Sequence, residues 1–307
     1  MARVRLDFRW LVLVAACGVA QTTLAQSPPV GEGSQASKAR AASAGDVRLV
    51  RGCRPEMVRV QDYCIDRWEV SLVDRTSGER LSPYYPPHPN LLRRVRDVWL
   101  IERENFGDDA ARAMPLPDLP AVQSTGRFAP MAVSRPGVAP QGYLNYHLAR
   151  QACENAGKRL CTEEEWVHAC RGVRQTRFPY GSQYVRGQCN VHRMLHPAHI
   201  LHGNSSIGHS DPRLNLVVER GVDPLLRLTG ATPKCASRWS DDDLLYDMVG
   251  NLDEWIEDES GRFVGGFYSR MTTTGCESRI TSHSPSYYDY SLGTRCCADA
   301  QPSAAGG

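Results

Sequence analysis

Three carboxylates and a Gly-Asn pair lie within residues 246–255, which read Tyr-Asp-Met-Val-Gly-Asn-Leu-Asp-Glu-Trp. Ca²⁺ prefers carboxylate and main-chain carbonyl oxygens, and a turn through Gly and Asn can take the positive φ angles that gather such oxygens. The stretch therefore predicts a calcium site in which Asp247 and Glu254 supply carboxylates while Gly250 and Leu252 supply carbonyls. A solvated acidic turn is the alternative, because the EF-hand pattern is absent.

Four histidines recur at intervals of four, three and three residues: His192, His196, His199 and His202. On one helix they would share a face and could bind Zn²⁺ or Cu²⁺. Pro197 lies inside the run and is expected to break that helix. Ordinary loop histidines are therefore the alternative to a metal site at residues 192–202.

Eleven cysteines are dispersed along the 307 residues without the paired Cys-x-x-Cys spacing of a zinc knuckle. Cys17 lies in a predicted export signal, which leaves ten in the folded part. This even number predicts disulfides formed in an oxidising compartment. Cys53 and Cys64 bracket the first half of a predicted β-hairpin at residues 57–70 and could form one of them.

The elements that must position these residues are short. Apolar residues near helical spacing predict a helix at 145–157, and Thr162 with Glu165 forms a capping box that predicts a second helix. A strand is expected at 262–268. Residues 83–140 are rich in proline and have one plausible helix around 91–105.

The N-terminal sequence predicts export. Residues 1–25 combine arginines with an apolar run, as in a signal peptide, although Cys17 also lies in a lipobox-like sequence and could be lipidated after cleavage there. The product is thus expected outside the cytoplasm, as a periplasmic, lipid-anchored or secreted protein. The expected boundaries are a linker at 26–46, a folded domain at 47–300 and a tail at 301–307.

Composition excludes two classes of partner. The net charge of +2 is spread along the chain, so no basic stripe indicates a nucleic-acid partner. No apolar run beyond the N-terminus reaches the roughly 20 residues of a transmembrane helix. The expected protein is a soluble globular domain that at most reaches a membrane through a lipid at Cys17.

Four motifs in order resemble the formylglycine-generating enzyme, or sulfatase-modifying factor, family. They are Gly-Lys-Arg-Leu-Cys-Thr-Glu-Glu-Glu-Trp at 157–166, Phe-Pro-Tyr-Gly at 178–181, the stretch at 246–255, and Gly-Thr-Arg-Cys at 293–296. The resemblance runs from about residue 53 to 299 and is looser at 82–142. It implies an α+β fold, a variant of the C-type lectin fold with little regular secondary structure, stapled by disulfides.

The resemblance also implies disulfide partners. Cys153 is expected to pair with Cys296, as in the family. Cys170 occupies the start of a second family disulfide whose partner position is Ile280 here, so that Cys276 is the nearest substitute. The pairing of four further cysteines stays open: Cys161, Cys189, Cys235 and Cys297.

The family oxidises a sulfatase cysteine to formylglycine with O₂ and a copper(I) ion held by two thiolates after the Gly-Gly strand. Here Arg270 stands at the first thiolate position, and Gly275 or Cys276 at the second. A guanidinium has no lone pair to donate, and soft Cu(I) prefers sulfur. The copper dithiolate is therefore expected to be incomplete.

Three functional hypotheses follow. The first is a calcium-containing domain that binds a protein or glycan, with groove candidates Arg270, Tyr287, Tyr288 and Tyr290, although core packing is an equal interpretation of the tyrosines. The second is a copper-dependent formylglycine-generating oxidase with a rearranged site in which Cys276 is catalytic. The third is another metal-dependent oxidase that uses the histidines at 192–202.

Overall fold

The computed structural model describes residues 49–50, 52–218 and 224–302. The signal peptide predicted at 1–25, with Cys17, and the linker predicted at 26–46 lie outside these residues, as does the end of the predicted tail at 303–307. In the described part of the chain, no helix has the length and apolar character required to cross a membrane.

Twelve short strands are found in the described residues. They are β1 (Met57–Val60), β2 (Tyr63–Asp66), β3 (Val70–Asp74), β4 (Pro130–Ser134), β5 (Arg159–Leu160), β6 (Ala236–Arg238), β7 (Leu244–Tyr246), β8 (Asp253–Trp255), β9 (Phe263–Val264), β10 (Arg279–Ile280), β11 (Leu292–Thr294) and β12 (Cys296–Asp299). Strands β1-β2-β12-β5 form one four-stranded sheet and β10-β9-β8-β11 a second, while β3 pairs with β4 and β6 with β7. Only the β8–β11 pair is parallel within this set.

Six α-helices accompany these sheets in the described residues. They are α1 (Pro89–Asn105), α2 (Asp109–Ala113), α3 (Ala121–Ser124), α4 (Tyr146–Asn155), α5 (Glu163–Arg171) and α6 (Pro197–His202). Long loops join these short elements. The predicted α+β fold with little regular secondary structure is thereby confirmed.

Local sequence explains where the central helices begin. Asn145 caps α4, because its side chain accepts a hydrogen bond from the Leu148 amide at 2.8 Å. The predicted capping box starts α5, with Thr162 accepting from the Glu165 amide and Glu165 accepting from the Thr162 amide. Both helices therefore form where the sequence predicts them.

The strand predicted at 262–268 is shorter in the structure, where β9 covers only Phe263–Val264. Gly265 and Gly266 have φ angles of +92° and +78°, which no strand residue adopts. The chain therefore turns away from β9 at this glycine pair, and the residues that follow become a loop.

Five disulfides link all ten cysteines of the described residues. The pairs are Cys53–Cys64, Cys153–Cys296, Cys161–Cys297, Cys170–Cys276 and Cys189–Cys235. The first, second and fourth are the pairs expected from the sequence and the resemblance, and the other two resolve the pairing that stayed open. Such a set of bridges fits an oxidising compartment.

Two fully buried tryptophans mark the core. Trp166 of α5 lies in a cluster with β1 and β2, where the Cys161–Cys297 and Cys170–Cys276 disulfides also lie. Trp255 of β8 lies in a second cluster with α4 and β3. The chain segment 246–255 contributes to both clusters, with Met248 and Val249 in the first and Trp255 in the second.

Candidate functional site

Residues 246–252, named here the Gly-Asn loop, contain three residues in the left-handed region. Asp247, Gly250 and Asn251 have φ angles of +57°, +86° and +62°. A Cβ atom on Gly250 would lie 2.4 Å from the carbonyl oxygen of Asn190, so only glycine fits there. The Gly-Asn pair thus forms the tight turn that the sequence predicts.

The Asn251 side chain ties this loop to three distant segments. Its Oδ1 accepts from Asn190 Nδ2 at 2.9 Å and from the Arg227 amide at 3.0 Å, and its Nδ2 donates to Glu69 Oε2 at 2.6 Å. The other Glu69 oxygen accepts from the Leu252 amide at 3.1 Å. Sequence analysis missed Glu69, whose one local signal is its place directly before the buried strand β3.

Glu254 is held by a buried arginine. Nε of Arg295 lies 3.0 and 2.7 Å from the two Glu254 oxygens, Nη2 of Arg295 lies 2.7 Å from Oε1, and Nε1 of Trp166 donates to Oε2 at 2.7 Å. Both charged side chains are almost entirely shielded from solvent. The three family motifs at 157–166, 246–255 and 293–296 therefore meet at this ion pair.

These contacts do not fit the calcium site predicted from Asp247, Gly250, Leu252 and Glu254. The guanidinium of Arg295 holds both Glu254 oxygens and so provides the positive charge that a cation would bring. Asp247 Oδ2 accepts from the Gly230 amide at 2.7 Å.

Three carboxylates surround the single guanidinium of Arg295. Burial, together with the charges of Asp247 and Glu254, raises the pKa of Glu69 well above its ordinary value. Burial also raises the pKa of Asp247 to about 6, although the Gly230 amide and Arg295 oppose the shift. Below about pH 6 a proton on Asp247 therefore reduces the negative charge around Arg295.

Arg270 occupies the first copper-ligand position of the resembled family. Its Nη1 lies 2.8 and 2.7 Å from the two oxygens of Asp253, and its guanidinium lies 4.9 Å from the Phe267 ring centroid. Burial raises the pKa of Asp253 to about 7, although the charge of Arg270 opposes the shift. An ion pair thus stands where a thiolate ligand would be required.

Cys276 is bonded to Cys170 and fully buried, so it is not the free thiolate that a catalytic copper ligand must be. The sequence predicts both a catalytic thiolate and a disulfide for Cys276, and these two roles exclude each other. In the structure Cys276 forms the disulfide. Neither the Arg270 guanidinium nor a disulfide sulfur fits Cu(I). The residues present do not fit the copper of the resembled family.

The three tyrosines proposed for a groove have different environments. Tyr290 is buried in an aromatic cluster with Phe267 and His196, at centroid distances of 5.7 and 5.8 Å. Tyr287 stacks on His283 at 4.0 Å and donates to Asp289 at 2.6 Å. Tyr288 is half-buried and packs near α1. Tyr290 thus belongs to the core, and Tyr287 and Tyr288 are half-buried.

The four histidines do not form one face of a helix. Pro197 interrupts the run as expected: no helix spans 192–202, and α6 begins at Pro197, where the missing proline amide costs no hydrogen bond. His196 caps α6 and contacts the Tyr290 hydroxyl at 2.8 Å. His202 lies buried, 3.1 Å from Asp211. The histidine metal site at 192–202 is not assembled among the described residues.

An apolar surface flanks Arg270. The amides of His192 and Arg193 donate to the carbonyls of Arg270 and Tyr268, so residues 192–195 run beside residues 268–271. The exposed side chains on these two segments are Met194 and Met271, 64% and 62% exposed, and Leu195. We call Arg270 with these three residues the Arg270 face.

Comparison with known proteins gives the family. Residues 54–305 match the sulfatase-modifying factor enzyme 1-like domain. The chain is 28% identical over 174 residues to the inactive C-alpha-formylglycine-generating enzyme 2 of Bos taurus, covering 52% of this chain and 50% of that protein. It is 31% identical over 121 residues to the formylglycine-generating enzyme of Mus musculus, covering 39% of this chain and 27% of that protein.

Among solved structures, PvdO from Pseudomonas aeruginosa is 16% identical, with a TM-score of 0.36 over 77% of this chain and 80% of that chain. The chain spans half or less of the length of the two curated relatives it matches. The family match nevertheless covers most of the chain and includes the four motifs that carry the resemblance. The chain belongs to the sulfatase-modifying factor family.

Proposed function

We propose that this chain is an extracytoplasmic sulfatase-modifying-factor-like domain that binds a protein or a glycan and does not oxidise a sulfatase cysteine. The ligand-binding surface is the Arg270 face. One observation carries the proposal: at the two positions of the family's copper thiolates stand the Arg270–Asp253 ion pair and the Cys170–Cys276 disulfide or its neighbour Gly275.

The chemistry of copper supports this assignment. Linear Cu(I) needs two thiolates, because nitrogen and oxygen donors bind it more weakly. Arg270 offers only protonated nitrogens, and its Nη1 already donates to Asp253. Restoring a thiolate at Cys276 would require reduction of a buried disulfide. One curated relative of this chain is itself named inactive.

The surface chemistry supports binding. Methionine and arginine are enriched at interfaces, and both types stand together on the Arg270 face. Met194 and Met271 are flexible apolar side chains held on two hydrogen-bonded segments. Nε and Nη2 of Arg270 have no acceptor within the described part of the chain and can donate to a ligand oxygen. Export and a lipid anchor at Cys17 would place this face outside the cytoplasm.

Thiol counting on exported protein tests the proposal. The purified chain is alkylated without reduction, digested and analysed by mass spectrometry, and we expect no alkylated cysteine within residues 52–302. Anaerobic Cu(I) titration is then expected to give no tight one-to-one complex. A tight complex that is lost in Cys276→Ser would overturn the proposal in favour of the oxidase, and copper bound only through histidines would favour the third hypothesis.

A further inference from the structure

A cavity of about 380 Å³ lies beside the Gly-Asn loop, away from the residues of the Arg270 face. Its lining includes Tyr84, Ala139, Asn215, Leu226, Arg227 and Ala231. Most of this lining is apolar, and only a few polar groups converge on the space. This volume and this lining are typical of small-molecule sites, at the small end of their range of roughly 300 to 1,000 Å³.

The walls of the cavity are fixed by hydrogen bonds. Asn215 donates to the Tyr290 carbonyl at 2.8 Å and accepts from the Tyr268 hydroxyl at 2.9 Å. Asn251 accepts from the Arg227 amide at 3.0 Å and donates to the Arg227 carbonyl at 3.2 Å. Because buried amides hold both sides, a ligand would enter a preformed space and would lose little affinity to ordering of the protein.

Arg227 is the charged residue of the lining in the part of the chain that the structure describes. Its Nη1 donates to Thr232 Oγ1 at 3.2 Å, but its Nε is buried and has no acceptor within the described part of the chain. Asp247 lies near enough to feel the charge of Arg227, yet no ion pair joins them among the described residues. Arg227 is partly exposed, and its Nη2 has no acceptor among the described residues, so a molecule bound in the cavity can supply one.

We propose that this cavity binds a small amphipathic carboxylate, whose apolar part lies against Ala139 and Leu226 and whose carboxylate accepts from Arg227. One guanidinium matches one negative charge. Among the described residues, Arg227 is the one basic side chain of the lining, so a phosphate dianion would carry a charge that these residues do not balance. The volume restricts the apolar part to a short chain or a single ring.

Calorimetric titration with octanoate and octanamide tests this proposal, since the two probes share their apolar part and differ in charge. We expect one octanoate per chain, bound at least about tenfold more tightly than octanamide, because hydrogen bonds to charged groups are strong. Arg227→Gln should weaken octanoate to the affinity of octanamide and leave octanamide unchanged. The matched control Arg80→Gln, an exposed arginine outside the lining, should change neither affinity.

A second variant keeps the test decisive if Arg227→Gln does not fold. Ala139→Leu fills the cavity from another segment and should weaken both probes, while Arg227→Lys should give an intermediate preference for octanoate. Equal affinity for the two probes would show that Arg227 does not recognise the charge, and would overturn the proposal. So would the absence of saturable binding, or octanoate binding that survives both Arg227→Gln and Ala139→Leu. The outcome does not depend on ligand binding at the Arg270 face.

Discussion

Nη1 of Arg270 lies 2.8 and 2.7 Å from both carboxylate oxygens of Asp253, a residue with no exposure to solvent. Arg270 itself keeps about a third of its side chain exposed. The guanidinium therefore balances a buried charge through Nη1 while part of the side chain stays exposed to solvent. Arg270, which stands at the position of a copper ligand in the family, thus forms an ion pair that joins its loop to strand β8.

Arg270→Gln should destabilise the protein more at pH 8 than at pH 5. At pH 8 the buried Asp253 carboxylate would lose its counter-charge, which costs roughly 2 to 3 kcal/mol for a pair of this partial exposure. At pH 5 Asp253 is mostly protonated, because its pKa is about 7, and less is lost. Urea unfolding of both proteins at the two pH values measures the difference. Equal destabilisation at both would contradict this electrostatic account.

Asp253 should also make wild-type stability fall as pH rises. A carboxyl group whose folded-state pKa is raised from 3.8 to about 7 contributes stability that is fully present below pH 3.8 and is lost as pH rises through about 7. The shift corresponds to about 4 kcal/mol. Asp253→Asn should flatten this part of the stability curve between pH 4 and pH 8. Parallel curves for the two proteins would argue that Asp253 titrates normally.

The sequence predicts features that depend on neighbouring residues and fails on contacts that the tertiary fold creates. The capping box of Thr162 and Glu165 and the turn at Gly250 were predictable, since three or four residues determine each. The reach of Glu69 to the Asn251 amide, across 182 positions, was not. Pro197 shows a third case: the sequence predicts that it prevents one helix through residues 192–202, but not that it is the first residue of a new helix.

Cys296 and Cys297 are adjacent in β12, and their bonds to Cys153 and Cys161 should contribute non-additively to stability. Once Cys153–Cys296 closes its loop of 143 residues, Cys161–Cys297 closes only a ring of about nine residues. Because Cys170–Cys276 remains and shortens the 143-residue loop to about 37 residues, loop-closure entropy gives about 2.5 kcal/mol for removal of either bridge alone and about 6.5 kcal/mol for removal of both. The reason is that the surviving bridge restricts the unfolded chain almost as much as the pair does.

Alanine substitution of each cysteine pair, and of all four cysteines, followed by denaturant unfolding, measures this coupling. Removal of Cys53–Cys64, which closes a separate loop of 11 residues, is the matched control and should add to either single removal without coupling. Simple additivity of the Cys153–Cys296 and Cys161–Cys297 effects would mean that the bridges act on the folded state instead of the unfolded chain. Peptide mapping without reduction would first verify the pairs.

Chelation should leave the melting temperature unchanged, contrary to what the calcium site predicted from residues 246–255 requires. Arg295 donates to both oxygens of Glu254 and so balances its charge without a metal ion. Melting in EDTA and in excess CaCl₂ should therefore agree, for the wild type and for Asp247→Ala alike. Arg295→Gln, in contrast, should destabilise by about 3 to 5 kcal/mol, because it leaves three buried carboxylates around one lost cation. If EDTA lowers the wild-type melting temperature and Asp247→Ala removes that sensitivity, then a calcium ion, bound on the side of Asp247 that Arg295 does not occupy, stabilises the Gly-Asn loop after all.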